Sequence, residues 1–317
     1  MSETSGARFA ERLRRKRALL EAGDPAHEEI RTLLFMTGGG MRGVYGAGAC
    51  LGLHHLGFAD CFDYLFGVSV GIITGAYFVA GKKGARRGAT IFFEECRTGF
   101  IDGSLFSPTL NIDYLEAVLR DGPKKLDLAT LTAHRSTLLA SVTEWRTGKN
   151  TLVDVKRAEP DPIAAIKASL ALTFAYKTPV VVNGEEYTDG GISNPFPFGK
   201  AVVKGGLPTD ILVVSNYSRR ETRWMGISPI EKIATEILAT RVPPLLRPAF
   251  KERNRRGRED LGYAERNPLG TTFLWADSGV SILTTNLATL KKGMRKGIRD
   301  TLTLFGDTET PPESLMP

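Results

Sequence analysis

The chain has 317 residues, a formal net charge of +7 and an apolar fraction of 42%. That is enough for one large α/β domain, or two small ones, with a sizeable core. The basic excess is modest and mixed with acids, which points to anionic surfaces and away from a dedicated nucleic-acid binder. Cys50, Cys61 and Cys96 are odd in number and lack ligand spacing, so neither a disulfide framework nor a zinc site is expected. The N-terminus is polar, and the longest apolar run, Val68–Ala80, is too short and glycine-interrupted to span a bilayer. A cytoplasmic protein, with peripheral contact at a membrane surface, is the expectation.

Residues 1–30 are dense in charge around Arg12–Arg17, with Phe9, Leu13, Leu19 and Leu20 loosely at helical spacing. They predict a charged, solvated helical extension held by one thin apolar stripe; a membrane-surface helix is the sharper alternative. Residues 31–317 read as a single domain, with a motif-bearing core over 31–217 and a helical, basic elaboration over 218–317.

Two strand-turn-helix units open that core. The first runs from Leu33–Met36 into Gly38-Gly39-Gly40 and then a helix rich in Gly43, Gly46, Ala47, Gly48 and Ala49. So many small residues cost helix propensity and fit a helix that packs very close to a sheet or a second helix. Gly38-x-Gly40-x-x-Gly43 matches a dinucleotide fingerprint, with Asp60 or Asp63 placed for a ribose. It also suits an oxyanion hole, because successive glycines expose backbone N–H groups. No Lys-Ser or Lys-Thr pair follows, which excludes a Walker-type phosphate loop. The second unit runs from Tyr64-Leu65-Phe66 into Gly67-Val68-Ser69-Val70-Gly71 and an apolar helix ending near Gly81. Gly-x-Ser-x-Gly between strand and helix is a nucleophile elbow: the serine sits on a strained turn beside unpaired helix N–H groups. This neighbour favours the oxyanion reading of the glycines.

Further along, residues 84–100 predict a helix with Ile91, Phe92 and Phe93 inward. Ser107-Pro108 breaks the chain, and Asn111 caps a helix through Leu119. Ser136–Trp145 and Thr151–Val155 predict a hairpin, and Ile163–Leu172 a helix. A second hairpin pairs Val180–Val182 with Glu185–Thr188 around Asn183-Gly184. Its returning strand delivers Asp189-Gly190-Gly191, an acid at a strand end held by a glycine-rich loop. The bland alternative is a turn aspartate bonded to its own backbone. Asp210–Ser215 is an apolar strand, and 218–270 is helical and polar. Its basic run, Lys251, Arg253, Arg255, Arg256 and Arg258, predicts a solvated face, with phospholipid head groups as the functional alternative. Thr272–Ala276 and Thr289–Phe305 close the fold as strand and helix, and the tail from Asp307 is expected to fray.

Ser69 needs a base. The histidines are His27, His54, His55 and His134, and none lies beyond Asp189. A Ser-Asp-His triad in the α/β-hydrolase order, with Asp189 as the acid, cannot be built. The economical solution is a dyad in which Asp189 acts on Ser69 directly, its pKa raised by desolvation.

Gly38-Gly39-Gly40-Met41-Arg42-Gly43, Gly67-Val68-Ser69-Val70-Gly71 and Asp189-Gly190-Gly191 resemble, in order, the three motifs of the patatin-like phospholipases. The likeness covers about residues 33–200 and extends more loosely to the last strand and helix. It implies a three-layer α/β/α fold with a largely parallel central sheet. It implies Ser69 as nucleophile, Asp189 as base, and an oxyanion hole at Gly38, Gly39 and Gly40 with Arg42 and Gly43 shaping the turn. It further implies hydrolysis of a lipid or acyl-ester substrate through an acyl-enzyme, with no metal or cofactor. A dinucleotide-binding protein built on the Gly38–Gly43 loop, or a non-catalytic membrane-surface scaffold, are the alternatives; each leaves Ser69 and Asp189 without a role.

Overall fold

The computed structural model describes residues 3–102, 109–224, 227, 229–266 and 270–317; the break expected at Ser107-Pro108 lies outside them. The described residues form one eight-stranded sheet and a separate two-stranded ribbon. The large sheet comprises β1 (Thr32–Met36), β2 (Tyr64–Val68), β3 (Thr137–Glu144), β4 (Asn150–Asp154), β5 (Val180–Val182), β6 (Glu185–Asp189), β7 (Asp210–Ser215) and β8 (Thr271–Trp275). Its order is β8-β7-β1-β2-β3-β6-β5, with β4 on the other edge of β3. From β8 to β3 the strands run parallel, and the pairs beyond β3 are antiparallel.

Successive residues of each strand serve opposite cores, as a sheet covered on both faces requires. Leu34, Met36, Leu65 and Val214 join one apolar cluster, while Leu33, Phe35, Phe66 and Val213 join the other. The result is a three-layer α/β/α domain with a largely parallel sheet. The first face carries α2 (Gly43–His55), α3 (Val70–Val79), α4 (Gly81–Ile91), α5 (Ile112–Arg120) and α6 (Pro162–Leu170). Long α7 (Arg247–Arg266) brings Leu261 and Ala264 to the second face, and α8 (Leu287–Leu304) returns to the first.

The small residues of α2 have the use that their number suggests. A methyl at Gly48 would strike the Met294 carbonyl of α8, and one at Gly297 of α8 would strike the Tyr45 carbonyl of α2. The two backbones meet where no side chain fits between them.

Four expectations need correction or refinement. The helix expected over 84–100 starts at Gly81 and stops at Ile91, and a π-helical turn over Cys96–Phe100 follows. Gly81 ends α3 at φ 83° and opens α4 at once, so one residue serves as both stop and start. The N-terminal helix α1, Glu3–Glu21, buries more than a stripe: besides Phe9 and Leu13 it buries the Lys16 ammonium against Asp63. The tail does not fray. Asp307 accepts from Glu309 and Thr310, Pro312–Leu315 is helical, and Leu315 and Met316 pack on the main core.

Candidate active site

β3 brings the site together. Val68, the last residue of β2, pairs with Ser141 of β3, and Asp189, the last residue of β6, pairs with Val142. Neighbouring residues of one strand therefore fix the serine that follows Val68 beside the acid. The glycine loop leaves the adjacent strand β1 at the same end, where a sheet of this kind opens its crevice.

Ser69 stands at φ 52° and ψ −128°, a conformation that L side chains rarely adopt, on a sharp turn into α3. Two glycines make the turn possible. A methyl at Gly67 would lie 2.5 Å from the Ile72 backbone, and one at Gly71 would lie 2.5 Å from the Met36 carbonyl oxygen. The Ser69 N–H donates to Ser169 Oγ at 3.1 Å, and Ser169 Oγ donates to the Ser141 carbonyl at 2.7 Å. Ser169 on α6 thus pins the elbow to β3, a role with no local sequence signal.

The glycine loop lies against Ser69: a methyl at Gly38 would come within 3.2 Å of Ser69 Cβ. Gly39 and Gly40 have φ 132° and 56°, which turn the chain away from β1. The N–H groups of Gly38 and Gly39 have no acceptor among the described residues, and so are free to receive an oxyanion. Downstream the loop is occupied. Met41 N–H donates to the Ile282 carbonyl at 2.9 Å, Arg42 N–H to the Gly39 carbonyl at 3.1 Å, and Gly43 N–H back into the turn. The Arg42 side chain, largely buried, pairs with Glu221 at 2.9 Å and lies over the Tyr217 ring. Asn216 brackets the loop: its N–H donates to Thr37 Oγ1 at 2.8 Å, its Nδ2 donates to the Thr37 carbonyl at 2.7 Å, and its Oδ1 accepts the Gly46 N–H at 3.1 Å.

Asp189 is 1% exposed. Oδ1 accepts the Gly191 N–H at 2.7 Å, while Oδ2 is buried without a hydrogen-bond partner among the described residues. Burial pushes its pKa up to about 6; the approach of the Ser69 hydroxyl, the Gly191 N–H and the Arg253 charge each oppose the rise. The Ser69 hydroxyl approaches Asp189 without making a hydrogen bond of standard geometry to Oδ2. Gly190 packs on Ser141, where any side chain would overlap Ser141 Oγ and its carbonyl.

Ser69, Asp189 and Gly40 form the polar end of a narrow cavity of about 70 Å³. The rest of its wall is apolar, with Ile73, Phe92, Phe100, Leu115 and Leu170 inside and Ile282 and Leu283 at the rim. None of the histidines lines it. His54 bonds the Phe78 carbonyl, and burial lowers its pKa; His134 and His55 face Asp60 and Asp307. Asp60 and Asp63 precede β2, at the far end of the sheet from the glycine loop, so neither can serve a ribose bound there.

The patatin-like phospholipase family model matches residues 34–202, just over half of the chain. The chain belongs to the patatin-like phospholipase family. It is thereby a member of a family of lipid acyl hydrolases that act on lipid substrates. YjjU of Escherichia coli strain K12, an uncharacterized protein, is 25% identical over 221 residues, which cover 64% of this chain and 59% of YjjU. The chain therefore spans less than two thirds of that relative's length. The crystal structure of VipD from Legionella pneumophila shares the patatin-like chain's fold, with a TM-score of 0.51 at 12% identity over 87% of this chain and 67% of VipD.

The basic run departs from expectation within this site. Arg253 and Arg256 point inward, donating to the carbonyls of Gly191 and Ser193, and Arg253 lies over the Phe250 ring. Lys251 and Arg255 sit outside in pairs with Glu236, Glu252 and Glu259. Among the described residues no helix is long and apolar enough to cross a membrane.

Proposed function

We propose that this patatin-like protein hydrolyses acyl esters of lipids, of phospholipase A or lysophospholipase type, with Ser69 as nucleophile and Asp189 as base. The observation that carries the reading is the meeting of Ser69 and Asp189 at the polar end of one apolar cavity, with a glycine loop that has two free N–H groups packed against Ser69. Asp189 Oδ2 accepts the hydroxyl proton as Ser69 Oγ bonds to the ester carbonyl carbon. Negative charge develops on the carbonyl oxygen and is met by the N–H groups of Gly38 and Gly39, at the end of α3 whose dipole also favours it. Collapse of the tetrahedral adduct breaks the ester C–O bond, and Asp189 returns the proton to the leaving alcohol. Water, deprotonated by Asp189, then bonds to the acyl carbon; the carbon–Ser69 Oγ bond breaks, Asp189 returns the proton to Oγ, and the fatty acid leaves.

The cavity holds the acyl chain, and the exposed Ile282 (45%) and Leu283 (39%) on its rim support entry from a lipid surface. Hydrolysis of p-nitrophenyl esters of graded length tests this. For wild type, kcat/KM should climb by up to about fourfold per methylene, from roughly 0.8 kcal/mol each, until the cavity is full. Ser69→Ala should be folded and inactive; turnover at the wild-type rate in that variant would end the proposal.

A further inference from the structure

Helix α7 grips the segment after Asp189 along one face. Arg253 Nη1 donates to the Gly191 carbonyl and Arg256 Nη1 to the Ser193 carbonyl, each at 3.3 Å. Gly257 abuts Pro195, and Asp260 accepts from Asn194 Nδ2 at 2.7 Å and from the Gly199 N–H at 2.9 Å. Positions 253, 256, 257 and 260 are one side of a helix, so the whole segment is held by one rigid body.

Arg253 reaches furthest in. Its Nε is buried without a hydrogen-bond partner among the described residues, and its guanidinium lies 4.4 Å from the centre of the Phe250 ring. The residue whose carbonyl it holds, Gly191, is the one whose N–H holds Asp189 Oδ1. The groups facing Asp189 are Ser69 from the elbow, Arg253 from α7 and Tyr217 after β7. The neighbouring cation, Arg42, is turned to Glu221.

We infer that Arg253 is the positioning residue of the catalytic base: it fixes Gly191, which in turn orients the Asp189 carboxyl. The Arg253 charge also favours the ionised carboxyl, against the effect of burial. The inference rests on the Ser69–Asp189 reading, and Ser69→Ala, run alongside, separates failure of that reading from failure of this one. Burial works against the charge of Arg253, while Tyr217 and Asp189 support it.

The test is the pH profile of kcat/KM on a neutral p-nitrophenyl ester for wild type, Arg253→Gln and Arg253→Lys. In Arg253→Gln the acid limb should move upward by about one pH unit, so the deficit at pH 5 is about tenfold larger than at pH 9. The KM should change little. Arg253→Lys keeps a cation but loses the planar fork, so its limb should stay near the wild-type position while kcat falls several-fold. An unmoved limb in a folded Arg253→Gln overturns the inference. So does a loss confined to KM for phosphate-bearing lipids, which would make Arg253 a head-group ligand. If Arg253→Gln does not fold, Arg253→Lys decides: a wild-type kcat there overturns the inference and a reduced kcat on an unmoved limb upholds it.

Discussion

Asp63 and Asp189 sit at opposite ends of the same sheet and are treated oppositely. At the end where β2 starts, Asp63 receives the Lys16 ammonium, the Thr32 N–H at 2.8 Å and the Arg135 guanidinium at 3.3 Å. Lys16 is fully buried there, and it also donates to the Ile30 carbonyl and to Thr32 Oγ1. At the other end Asp189 is more deeply buried, and one of its oxygens has no bond among the described residues. Beside it Ser69 holds a backbone conformation that costs on the order of 1–3 kcal/mol. A saturated carboxylate contributes to stability, and an unsaturated one is available to take a proton.

One substitution made at both ends would break the comparison if it fails. Asp189→Asn should reduce ester turnover by at least about a thousandfold, as loss of the base that activates the nucleophile. It should also stabilise the fold. The native pKa lies above the ordinary value, so the folded state binds more protons than the unfolded one between about pH 4 and pH 6. Stability therefore falls as pH rises through that window and stays lower at pH 7. The neutral amide escapes this penalty, which is up to about 3 kcal/mol from the difference between 3.8 and about 6. Asp63→Asn should do the reverse. It leaves a buried ammonium without its carboxylate, at a loss of about 3 kcal/mol, while the folded fraction stays active. Thermal melts and active-site titration of the two variants read both signs.

A smaller test uses Ser69 itself. Ser69→Gly and Ser69→Ala are both expected to be inactive, and the glycine variant should be the more stable by about 1 kcal/mol, because only glycine relieves the positive φ. The wild-type pH profile needs no substitution at all. Activity should rise with an acid limb near pH 6, since a protonated Asp189 cannot accept the serine proton. A limb near pH 4 would place the base elsewhere. Smallest is Arg255→Ala, which removes exposed, solvent-screened pairs with Glu252 and Glu259 and should leave the thermal midpoint essentially unmoved.

Much of this architecture was legible because it is local. Alternating apolar runs marked strands, Asn183-Gly184 marked a hairpin whose turn has φ 52° and 79°, and Asn111 capped its helix by accepting the Tyr114 N–H. The glycine turns and the acid at the end of β6 were readable because close backbone approach demands glycine in the sequence itself. What could not be read joins distant parts of the chain. Arg253 meets Gly191 across 62 residues, Ser69 meets Ser169 across 100, and Asn216 meets Thr37 across 179. Local rules place a charged residue such as Lys16 or Arg253 in solvent, since nothing nearby announces the acceptor that makes its burial tolerable.

The bond from Met41 N–H to the Ile282 carbonyl joins backbone to backbone across the rim of the cavity. Such a tether does not depend on which side chain stands at 282 or 283. The rim can be rewritten by point mutation, from apolar to polar or from large to small, while the glycine loop beneath it keeps its anchor. On the proposed function, selection on substrate entry and selection on the reaction centre would act on separable parts of this protein, and the rim would be where a new lipid preference can arise without a new catalyst.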